Sequence, residues 1–362
     1  MAAGGTGGHL TPALAVADEL TARGALVTFV TTPSQVERLR ERYPAYALEM
    51  RGFERRLLAR ANAVTLRRLA AAAPRAWRIV SEVRPRVAVG GGGYLSGPVV
   101  ALAAVRGVPS LALEADAHLG VTNLLLSPLV SRVCLSFPIK GRKPPRYVLT
   151  GRPLSAAQLQ ADPQAGRTAF GLSADLPVVL VFGGSQGAQT LNRACVEAFG
   201  SGPLDLQLLH VCGPRHYDDT AAALAARGAD VERYHLLPFT DELAQAMAAA
   251  DLVVGRSGGS VAEIAALGRP AVLVPFPHAT ADHQTKNAAS LAAAGAAIVV
   301  PDAELDGARL GGLVRELLAD GERLAGMAAA SRTAGRPDAT QRVVDEIEDL
   351  LDERVQEQRT WL

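Results

Sequence analysis

The chain has 362 residues, a formal net charge of +1 at pH 7 and a hydrophobic content of 49%. At about 150 residues per domain this length suggests two domains, and the hydrophobic content argues against intrinsic disorder. The near-zero net charge argues against a dedicated nucleic-acid-binding protein. The three cysteines lack the spacing of metal ligands, which indicates buried thiols in a reducing compartment. Because the sequence shows neither a signal peptide nor an apolar run long enough to span a bilayer, a cytoplasmic protein is expected, soluble or peripheral to a membrane.

A glycine-rich loop, GGTGGH, occupies residues 4–9 and is followed by helical spacing of apolar residues over 10–23. The start of a helix presents unpaired N–H groups and a partial positive charge, so this loop predicts an anion-binding site. Only Met1, Ala2 and Ala3 precede the loop, where a strand of about five residues is expected. A start site further upstream is favoured as the explanation, and a very short strand is the alternative.

A second loop of the same kind, GGSQGA at 183–188, follows an apolar strand predicted over 177–182 and precedes a helix that extends to about Phe199. Each loop contains one hydroxyl side chain, Thr6 or Ser185. The pair predicts two halves that face one anionic ligand. Phosphate or diphosphate contact is favoured over simple close packing of strand against helix.

Neither loop has the pattern of a P-loop or of a dinucleotide-binding fingerprint. The strand after the first helix ends in Thr31 rather than in the acidic residue that binds a ribose, so a nicotinamide-dependent dehydrogenase is disfavoured. The sequence contains no Asp-x-Asp and no His/Cys cluster, and neither a metal site nor a cofactor is expected.

Strands and helices alternate along the whole chain. The predicted strands lie at 25–31, 86–90, 109–114, 132–137, 146–149, 177–182, 206–211, 233–237, 252–254, 271–275 and 297–300. This alternation predicts two Rossmann-like, doubly wound α/β domains, in which ligands bind beyond the carboxyl ends of the strands. The expected domains are 1–150 and 151–335, with a candidate hinge at Gly151-Arg152-Pro153 and a terminal helix within 336–362.

The segment 51–86 is rich in arginine and contains a helical stripe of apolar residues. The stripe consists of Leu66, Leu69, Ala73, Trp77 and Val80. An ordinary helix with a buried stripe is favoured here, and a membrane-facing surface is the alternative.

Three further groups of residues are candidates for ligand contact or chemistry. Glu263 lies in the first turn of a predicted helix that follows Arg256. Its carboxylate is able to bind a ribose diol or to form a capping box with Ser260, and neither interpretation is favoured. Gln284, in the polar segment 278–287, is able to bind sugar hydroxyls. His9 begins a helix, which should lower the pKa of its imidazole and leave it neutral, able to accept a proton.

The combination of motifs closely resembles the MurG family, whose members transfer N-acetylglucosamine from UDP-GlcNAc to lipid I and form lipid II in peptidoglycan synthesis. The matching stretches are GGTGGHLTPALAVADEL, GGGYLSGP, the TN of GVTN, GGSQGAQTLN, RSGGSVAEIAALGRPAVLVPFPH, HQTKNA and RPDATQRV, in family order from Gly4 to Val343. The resemblance implies a GT-B type fold, with two Rossmann-like domains facing a cleft. It implies an acceptor-binding N-terminal domain, a UDP-GlcNAc-binding C-terminal domain and a terminal helix that returns to the first domain.

The resemblance also implies the roles of individual residues. The residues that it places on the acceptor side or in the cleft are Thr6, His9, Tyr94, Glu114 and Asn123. The residues that it implies for donor binding are Thr6, Gly7, Gly8, Asp116, Ser185, Asn192, Thr240, Arg256, Glu263 and Gln284. Among these, Ser185 and Asn192 are expected near the diphosphate, Glu263 at the ribose and Gln284 at the sugar hydroxyls. His9 is the favoured general base, with Glu114 second, and a carboxylate shared with Asp116 would raise one pKa.

The family activity implies partners and a location. The implied partners are UDP-GlcNAc, an undecaprenyl-linked acceptor, the anionic cytoplasmic face of the cell membrane and a wall-synthesis complex. The implied processes are cell shape and cell division. The sequence departs from the family at Leu113, Ala115, Asp116 and Ser155, and the loop between Arg256 and Glu263 is one residue short. Two alternatives therefore stay open: a glycolipid glycosyltransferase with a diacylglycerol acceptor, and a nucleotide-sugar-binding protein without catalysis.

Overall fold

A computed structural model describes residues 1–4, 7–50 and 60–360. The chain divides into two compact units, one formed by Met1–Ser155 with Asp338–Leu362 and the other by Ala156–Pro337. Over the described ranges, every helix is too short or too polar to cross a membrane.

The first unit is an α/β layer structure. Its elements in chain order are α1 (Gly7–Ala22), β1 (Phe29–Thr31), α2 (Pro33–Arg40), β2 (Ala45–Ala47), α3 (Arg60–Val83), β3 (Ala88–Gly90), α4 (Gly93–Val105), β4 (Ser110–Glu114), α5 (Val121–Leu126), β5 (Arg132–Leu135) and β6 (Tyr147–Leu149). Strands β3, β4, β5 and β6 pair in parallel in that order, and β1 pairs in parallel with β2. Ala2 bridges Val30 of β1 and Gly90 of β3, so the residues before the first glycine loop join the two sets of strands.

The second unit contains a six-stranded parallel sheet. Its elements are α6 (Ala156–Leu159), α7 (Pro163–Ala169), β7 (Val178–Phe182), α8 (Gln189–Phe199), β8 (Gln207–Val211), α9 (Tyr217–Arg227), β9 (Tyr234–Leu237), α10 (Leu243–Ala249), β10 (Leu252–Gly255), α11 (Ser260–Ala266), β11 (Ala271–Leu273), α12 (His283–Ala293), β12 (Ala297–Val299), α13 (Gly307–Ala319) and α14 (Gly321–Ala334). The strand order is β12-β11-β10-β7-β8-β9. This is the order of a doubly wound dinucleotide-binding fold, whose strand order reverses between the first and fourth strands, here β7 and β10.

The predicted fold class, two doubly wound α/β units, is confirmed. Every residue of β7 and of β8 is buried, as expected for parallel strands that helices cover on both faces. The strand predicted over 25–31 is shorter than expected. The observed strand begins at Phe29, and Leu26 before it is fully exposed.

The last helix, α15 (Ala339–Thr360), belongs to the first unit. Its apolar residues Val343, Val344, Ile347 and Leu350 pack with Val16 and Leu20 of α1 in one buried cluster. Arg23, at the end of α1, pairs at 2.8 Å with both Asp345 and Glu348. Apolar burial therefore fixes this helix on α1, and exposed ion pairs line its edge.

One prediction about α3 is wrong. Trp77 does not belong to a buried stripe: it is 47% exposed, and the guanidinium of Arg106 lies 4.7 Å from its ring. From residue 72 onward, where the side chains of this helix are described, the buried ones are Ala72, Ala76, Ile79 and Val80. The packed face is thus displaced by about one residue from the predicted stripe, because small alanines allow close packing against the unit's core. The side chains of Leu66 and Leu69 lie outside the described residues.

Candidate functional site

The first unit places Gly7, Gly8 and His9 in the first turn of α1. This turn and the glycine turn after β3 lie at the carboxyl ends of neighbouring strands, where the chain order reverses around Ala2. Ligands of doubly wound sheets bind at such a position. Thr6, which the resemblance assigns to both ligands, lies outside the described residues.

The ring of His9 lies directly on the glycine turn that follows β3. A Cβ atom at Gly92 would lie 2.7 Å from His9 Nδ1, and Gly92 has a φ of +91°, so only glycine fits. Nδ1 is buried and has no hydrogen-bond partner among the residues that the structure describes. The turn therefore holds an imidazole with one unused nitrogen.

The expected lowering of the His9 pKa is confirmed. Burial is the largest contribution to the lowered pKa, the guanidinium of Arg152 is the next, and Asp116 opposes both. Since the ordinary value is about 6.5, the imidazole is neutral at physiological pH.

Arg152 is the residue of this site that the sequence did not reveal. Its side chain is buried, and its Nη2 donates to the carbonyl oxygen of Gly8 at 2.7 Å. Nη1 lies 3.5 Å from the carbonyl oxygen of Ala115. The only sequence signal was the Gly-Arg-Pro segment, which predicted a hinge. The guanidinium instead ties the first glycine loop to the loop that follows β4.

Glu114 and Asn123 form a buried hydrogen-bonded pair at the end of β4. Glu114 Oε2 accepts from the backbone N–H of Gly120 at 2.8 Å and from Asn123 Nδ2 at 3.0 Å, and Oε1 accepts from the N–H of Asp116 at 3.3 Å. Asn123 Nδ2 also donates to the carbonyl oxygen of Leu113. Asn123 Oδ1 is buried and has no hydrogen-bond partner in the described part of the chain.

The pKa of Glu114 is raised, mainly by burial, while its hydrogen bonds lower it. The expected effect of Asp116 on this pKa is confirmed in direction, because Asp116 raises it, but Asp116 makes the smallest contribution and burial the largest. Asp116 also lies near His9, whose pKa it raises. Asp116 therefore interacts with both residues: its backbone N–H donates to Glu114, and its charge acts on His9.

The departures from the family pattern fall at different depths. Leu113 is buried in the cluster that α15 covers, so its side chain contributes to packing. Ala115 and Asp116 are half-buried in the loop after β4, beside Arg152 and His9. Tyr94 is half-buried at the start of α4. The change at 113 is thus one of core packing, and those at 115 and 116 are close to the candidate chemistry.

In the second unit, the two residues assigned to the diphosphate, Ser185 and Asn192, differ in burial. Ser185 is exposed in the turn before α8, at the carboxyl end of β7. Asn192 is buried within α8: its Nδ2 donates to the carbonyl oxygen of Cys212 at 2.9 Å, and its Oδ1 lies 3.0 Å from His210 Nε2. The structure therefore places Ser185 at the surface of the loop and Asn192 behind it.

Arg256 is buried after β10, where its contacts are made within the unit. Its Nη1 pairs with Asp302 Oδ1 at 2.5 Å and donates to the carbonyl oxygens of Val274 and Pro275. Its guanidinium also lies 5.6 Å from the ring of Phe276. These contacts fix the carboxyl end of β11 beside that of β10.

Glu263 lies half-buried in the first turn of α11. The capping box with Ser260 is not the arrangement observed: the N-cap residue is Gly259 without a side-chain cap, and the Ser260 hydroxyl donates to the carbonyl oxygen of Arg256 at 3.3 Å. The Ser260 hydroxyl therefore bonds to the segment before the helix rather than to the helix start.

Gln284 is held beside the Arg256 segment. Its Oε1 accepts from the backbone N–H of Phe276 at 3.0 Å, and its carbonyl oxygen accepts from the Ser257 hydroxyl at 2.8 Å. Thr240 is half-buried after β9, with its hydroxyl oxygen accepting from the N–H of Glu242. Ser155 is half-buried and is the last residue of the segment Met1–Ser155 of the first unit. Gln284, in the first turn of α12, thus bonds to the segments that follow β10 and β11.

No group of three or more His, Cys, Asp or Glu side chains within the described ranges is arranged to hold a metal ion. Within the second unit, the start of α8 after the glycine loop, Ser185 and the end of β10 lie at the carboxyl ends of the strands. This arrangement suits the binding of a diphosphate by N–H groups and helix dipoles.

Comparison with known proteins agrees with this geometry. The model of the glycosyltransferase family 28 N-terminal domain matches residues 1–135, and that of the C-terminal domain matches residues 178–343. The chain is 41% identical over 358 residues to the UDP-N-acetylglucosamine–N-acetylmuramyl-(pentapeptide) pyrophosphoryl-undecaprenol N-acetylglucosamine transferase of Moorella thermoacetica, with 95% of this chain and 96% of the relative covered. It is 39% identical to the protein of the same name from Salinibacter ruber, with coverage of 97% and 96%.

A solved structure is similar over the same length. The crystal structure of MurG from Acinetobacter baumannii is 32% identical and superimposes with a TM-score of 0.76, covering 96% of this chain and 98% of that one. The two family models, the near-complete relatives and this structure agree with one another. The chain therefore belongs to glycosyltransferase family 28 and, within it, to the MurG family of N-acetylglucosamine transferases.

Proposed function

We propose that this chain transfers N-acetylglucosamine from UDP-GlcNAc to the C4 hydroxyl of the muramyl sugar in undecaprenyl-pyrophosphoryl-MurNAc-pentapeptide, with inversion at the anomeric carbon. The observation that carries the proposal is the 41% identity over 95% of the chain with a transferase named for this reaction. The glycine loops at the strand ends of both units support it, because they suit a diphosphate leaving group.

In the proposed reaction, the acceptor C4 oxygen forms a bond to the anomeric carbon of GlcNAc while the bond from that carbon to the diphosphate oxygen breaks. UDP leaves with the electron pair, and the acceptor's hydroxyl proton passes to His9. The start of α8, after the second glycine loop, stabilises the charge that develops on the diphosphate. Glu263 and Gln284 contact the ribose and the sugar hydroxyls, and Asn123 and Tyr94 contact the acceptor.

The role of Glu114 follows from its bonding. Three N–H groups donate to its carboxylate, which orients the segment between β4 and α5. His9 lies in the first turn of α1, and its lowered pKa keeps the imidazole neutral. We therefore keep His9 as the proposed base and give Glu114 the role of orienting Asn123.

The decisive experiment is turnover of UDP-GlcNAc with a lipid I analogue, with release of UDP as the readout. Product formation with the muramyl acceptor and not with diacylglycerol supports the proposal. Transfer to diacylglycerol alone would replace it with a glycolipid glycosyltransferase. Binding of UDP-GlcNAc without transfer to either acceptor would replace it with a nucleotide-sugar-binding function.

We expect Glu263→Ala to raise the KM for UDP-GlcNAc at least about tenfold, since hydrogen bonds to a charged acceptor contribute roughly 1.5–3 kcal/mol. Steady-state kinetics with the donor varied measures this. Glu322→Ala is the matched control, because Glu322 also lies in the first turn of a helix of the same unit but is exposed. An unchanged donor KM in Glu263→Ala removes Glu263 from the donor site.

We also propose that the chain binds peripherally to the cytoplasmic face of the membrane through its first unit. Exposed apolar side chains cluster along and just after α5: Val121, Leu124, Leu125 and Leu129. Exposed arginines of the same unit include Arg75 and Arg78 on α3. Apolar insertion and basic charge together are what attach a protein to an anionic leaflet, at about 1 kcal/mol per Lys or Arg near the surface.

Co-sedimentation with liposomes should therefore increase with the anionic lipid fraction and decrease with salt. Arg75→Gln with Arg78→Gln should weaken binding by about 2 kcal/mol, or roughly thirtyfold. Val231→Ser removes an exposed apolar side chain from the second unit and should leave binding unchanged. Binding that responds to neither anionic lipid nor salt would contradict the electrostatic contribution.

A further inference from the structure

A chain of buried polar side chains lies behind the glycine loop of the second unit. His210, on β8, is fully buried; its Nε2 lies 3.0 Å from Asn192 Oδ1 and its Nδ1 lies 2.9 Å from the hydroxyl of Tyr234. The Tyr234 hydroxyl also contacts the sulfur of Cys195 at 3.2 Å. Such a group in an otherwise apolar sheet is costly unless every polar atom is paired, and here each ring nitrogen has a partner.

The hydrogen bonds fix one protonation state of this histidine. Burial lowers the pKa of His210 to about 3, so the ring is neutral and has one donor and one acceptor nitrogen. Asn192 Nδ2 donates to the carbonyl oxygen of Cys212, so the Asn192 oxygen faces the ring. Nε2 must therefore carry the proton, and Nδ1 accepts from the Tyr234 hydroxyl.

Asn192 is connected to the glycine loop through the carbonyl group of Cys212. A Cβ atom at Gly187 would lie 2.1 Å from the carbonyl oxygen of Cys212, the same oxygen to which Asn192 donates. A Cβ atom at Gly213 would lie 2.6 Å from the Cα of Gly187. The loop thus rests directly on the end of β8, and a shift of the Cys212 carbonyl displaces the loop.

We propose that His210 is a positioning residue for the nucleoside diphosphate: by holding Asn192, it fixes the Cys212 carbonyl and with it the glycine loop at 183–188. The inference rests on the proposed donor site, since it assumes that this loop receives the diphosphate. His210 and Asn192 contact no ligand in this scheme. Asn192, which the sequence analysis assigned to the diphosphate, acts on the glycine loop through the Cys212 carbonyl group.

Two substitutions separate the two bonds of His210. A glutamine amide nitrogen reaches the place of Nε2, so His210→Gln keeps the donor to Asn192 and loses the bond to Tyr234. An asparagine amide reaches only the place of Nδ1, so His210→Asn keeps a partner for Tyr234 and leaves Asn192 Oδ1 unpaired. Each variant loses one buried hydrogen bond and should lose similar thermal stability.

We expect His210→Asn to weaken UDP binding, measured by titration calorimetry, by about tenfold and to raise the KM for UDP-GlcNAc by the same factor. Its kcat and its acceptor KM should stay within about twofold of wild type, as for a loss confined to donor binding. His210→Gln should stay within about threefold of wild type for UDP. Tyr234→Phe, which removes the other bond, should lower the melting temperature and leave UDP binding unchanged.

Equal UDP affinities in His210→Asn and wild type overturn the inference. Equal losses in the Asn, Gln and Tyr234→Phe variants, in proportion to melting temperature, also overturn it, because they indicate a role in stability alone. If the wild-type chain binds UDP but transfers no sugar, the proposed function fails while the UDP titrations still decide the role of His210. If the wild type binds no UDP, both fail.

Discussion

His9→Ala is expected to lower kcat by at least about a hundredfold with little change in the KM for UDP-GlcNAc, on the scale of 10²–10⁴ for loss of a general base. The reason is that the glycine turn after β3 packs against the Nδ1 side of a neutral imidazole at the start of α1, which leaves Nε2 as the nitrogen that accepts the proton. Initial rates at saturating donor and acceptor measure the effect.

The pH dependence should identify the same group. A base acts in its deprotonated form, and burial together with Arg152 lowers the pKa of His9 below its ordinary value. The kcat should therefore fall on the acidic side, with a midpoint below the ordinary histidine value of about 6.5. This acidic limb should be absent from the residual activity of His9→Ala.

His9→Gln is the matched control for this prediction. Glutamine fills the space beside Gly92 and is able to form hydrogen bonds, but it cannot carry a proton at neutral pH. Recovery of activity in His9→Gln would indicate that His9 only positions the acceptor. If His9→Ala keeps more than about a tenth of the wild-type kcat while Glu114→Ala abolishes turnover, the carboxylate is the base and the assignment fails.

Arg256→Ala is expected to lower the free energy of unfolding of the second unit by about 3–5 kcal/mol. The substitution removes the partner of Asp302, which is itself largely buried, and two hydrogen bonds to the carbonyl oxygens at the end of β11. A buried charge left without its partner accounts for most of the loss. Scanning calorimetry should show a lower melting temperature for the transition of this unit.

Two further variants test whether loss of the Arg256–Asp302 ion pair causes this destabilisation. Arg323→Ala removes an arginine of the same unit whose pair with Glu316 is exposed, and it should cost less than about 1 kcal/mol. Adding Asp302→Asn to Arg256→Ala should restore part of the stability, because no unpaired carboxylate then remains. A loss below about 1 kcal/mol in Arg256→Ala, or no recovery in the double variant, would contradict the role given to the ion pair.

The sequence was sufficient for the layout of the sheets. Strands buried on both faces appear as predominantly apolar runs, so 178–182 was predicted within one residue of its observed ends, and so was 207–211 in spite of Gln207 and His210. The glycine loops were visible because glycine is required where a strand turns sharply into a helix. The order of these motifs along the chain was also enough to identify the family.

What the sequence did not determine is which polar side chains face the ligand and which face the core. Asn192 follows a glycine loop and was assigned to the diphosphate, yet its amide bonds to His210 and Cys212 inside the unit. Arg152 was one arginine among many until its contact with Gly8 was visible.

The same limit applies to the causes of pKa shifts and to the packed face of α3. Glu114 was expected to be perturbed by Asp116, its neighbour in sequence, but burial dominates. Apolar periodicity and loop glycines are local properties of the chain, so the sequence alone determined the two doubly wound units. The direction of a polar side chain, its partner and its dielectric surroundings depend on residues that are distant in the chain. Only the tertiary structure decided these, because it brings together Gly8 with Arg152, Cys212 with Asn192, and Asp302 with Arg256.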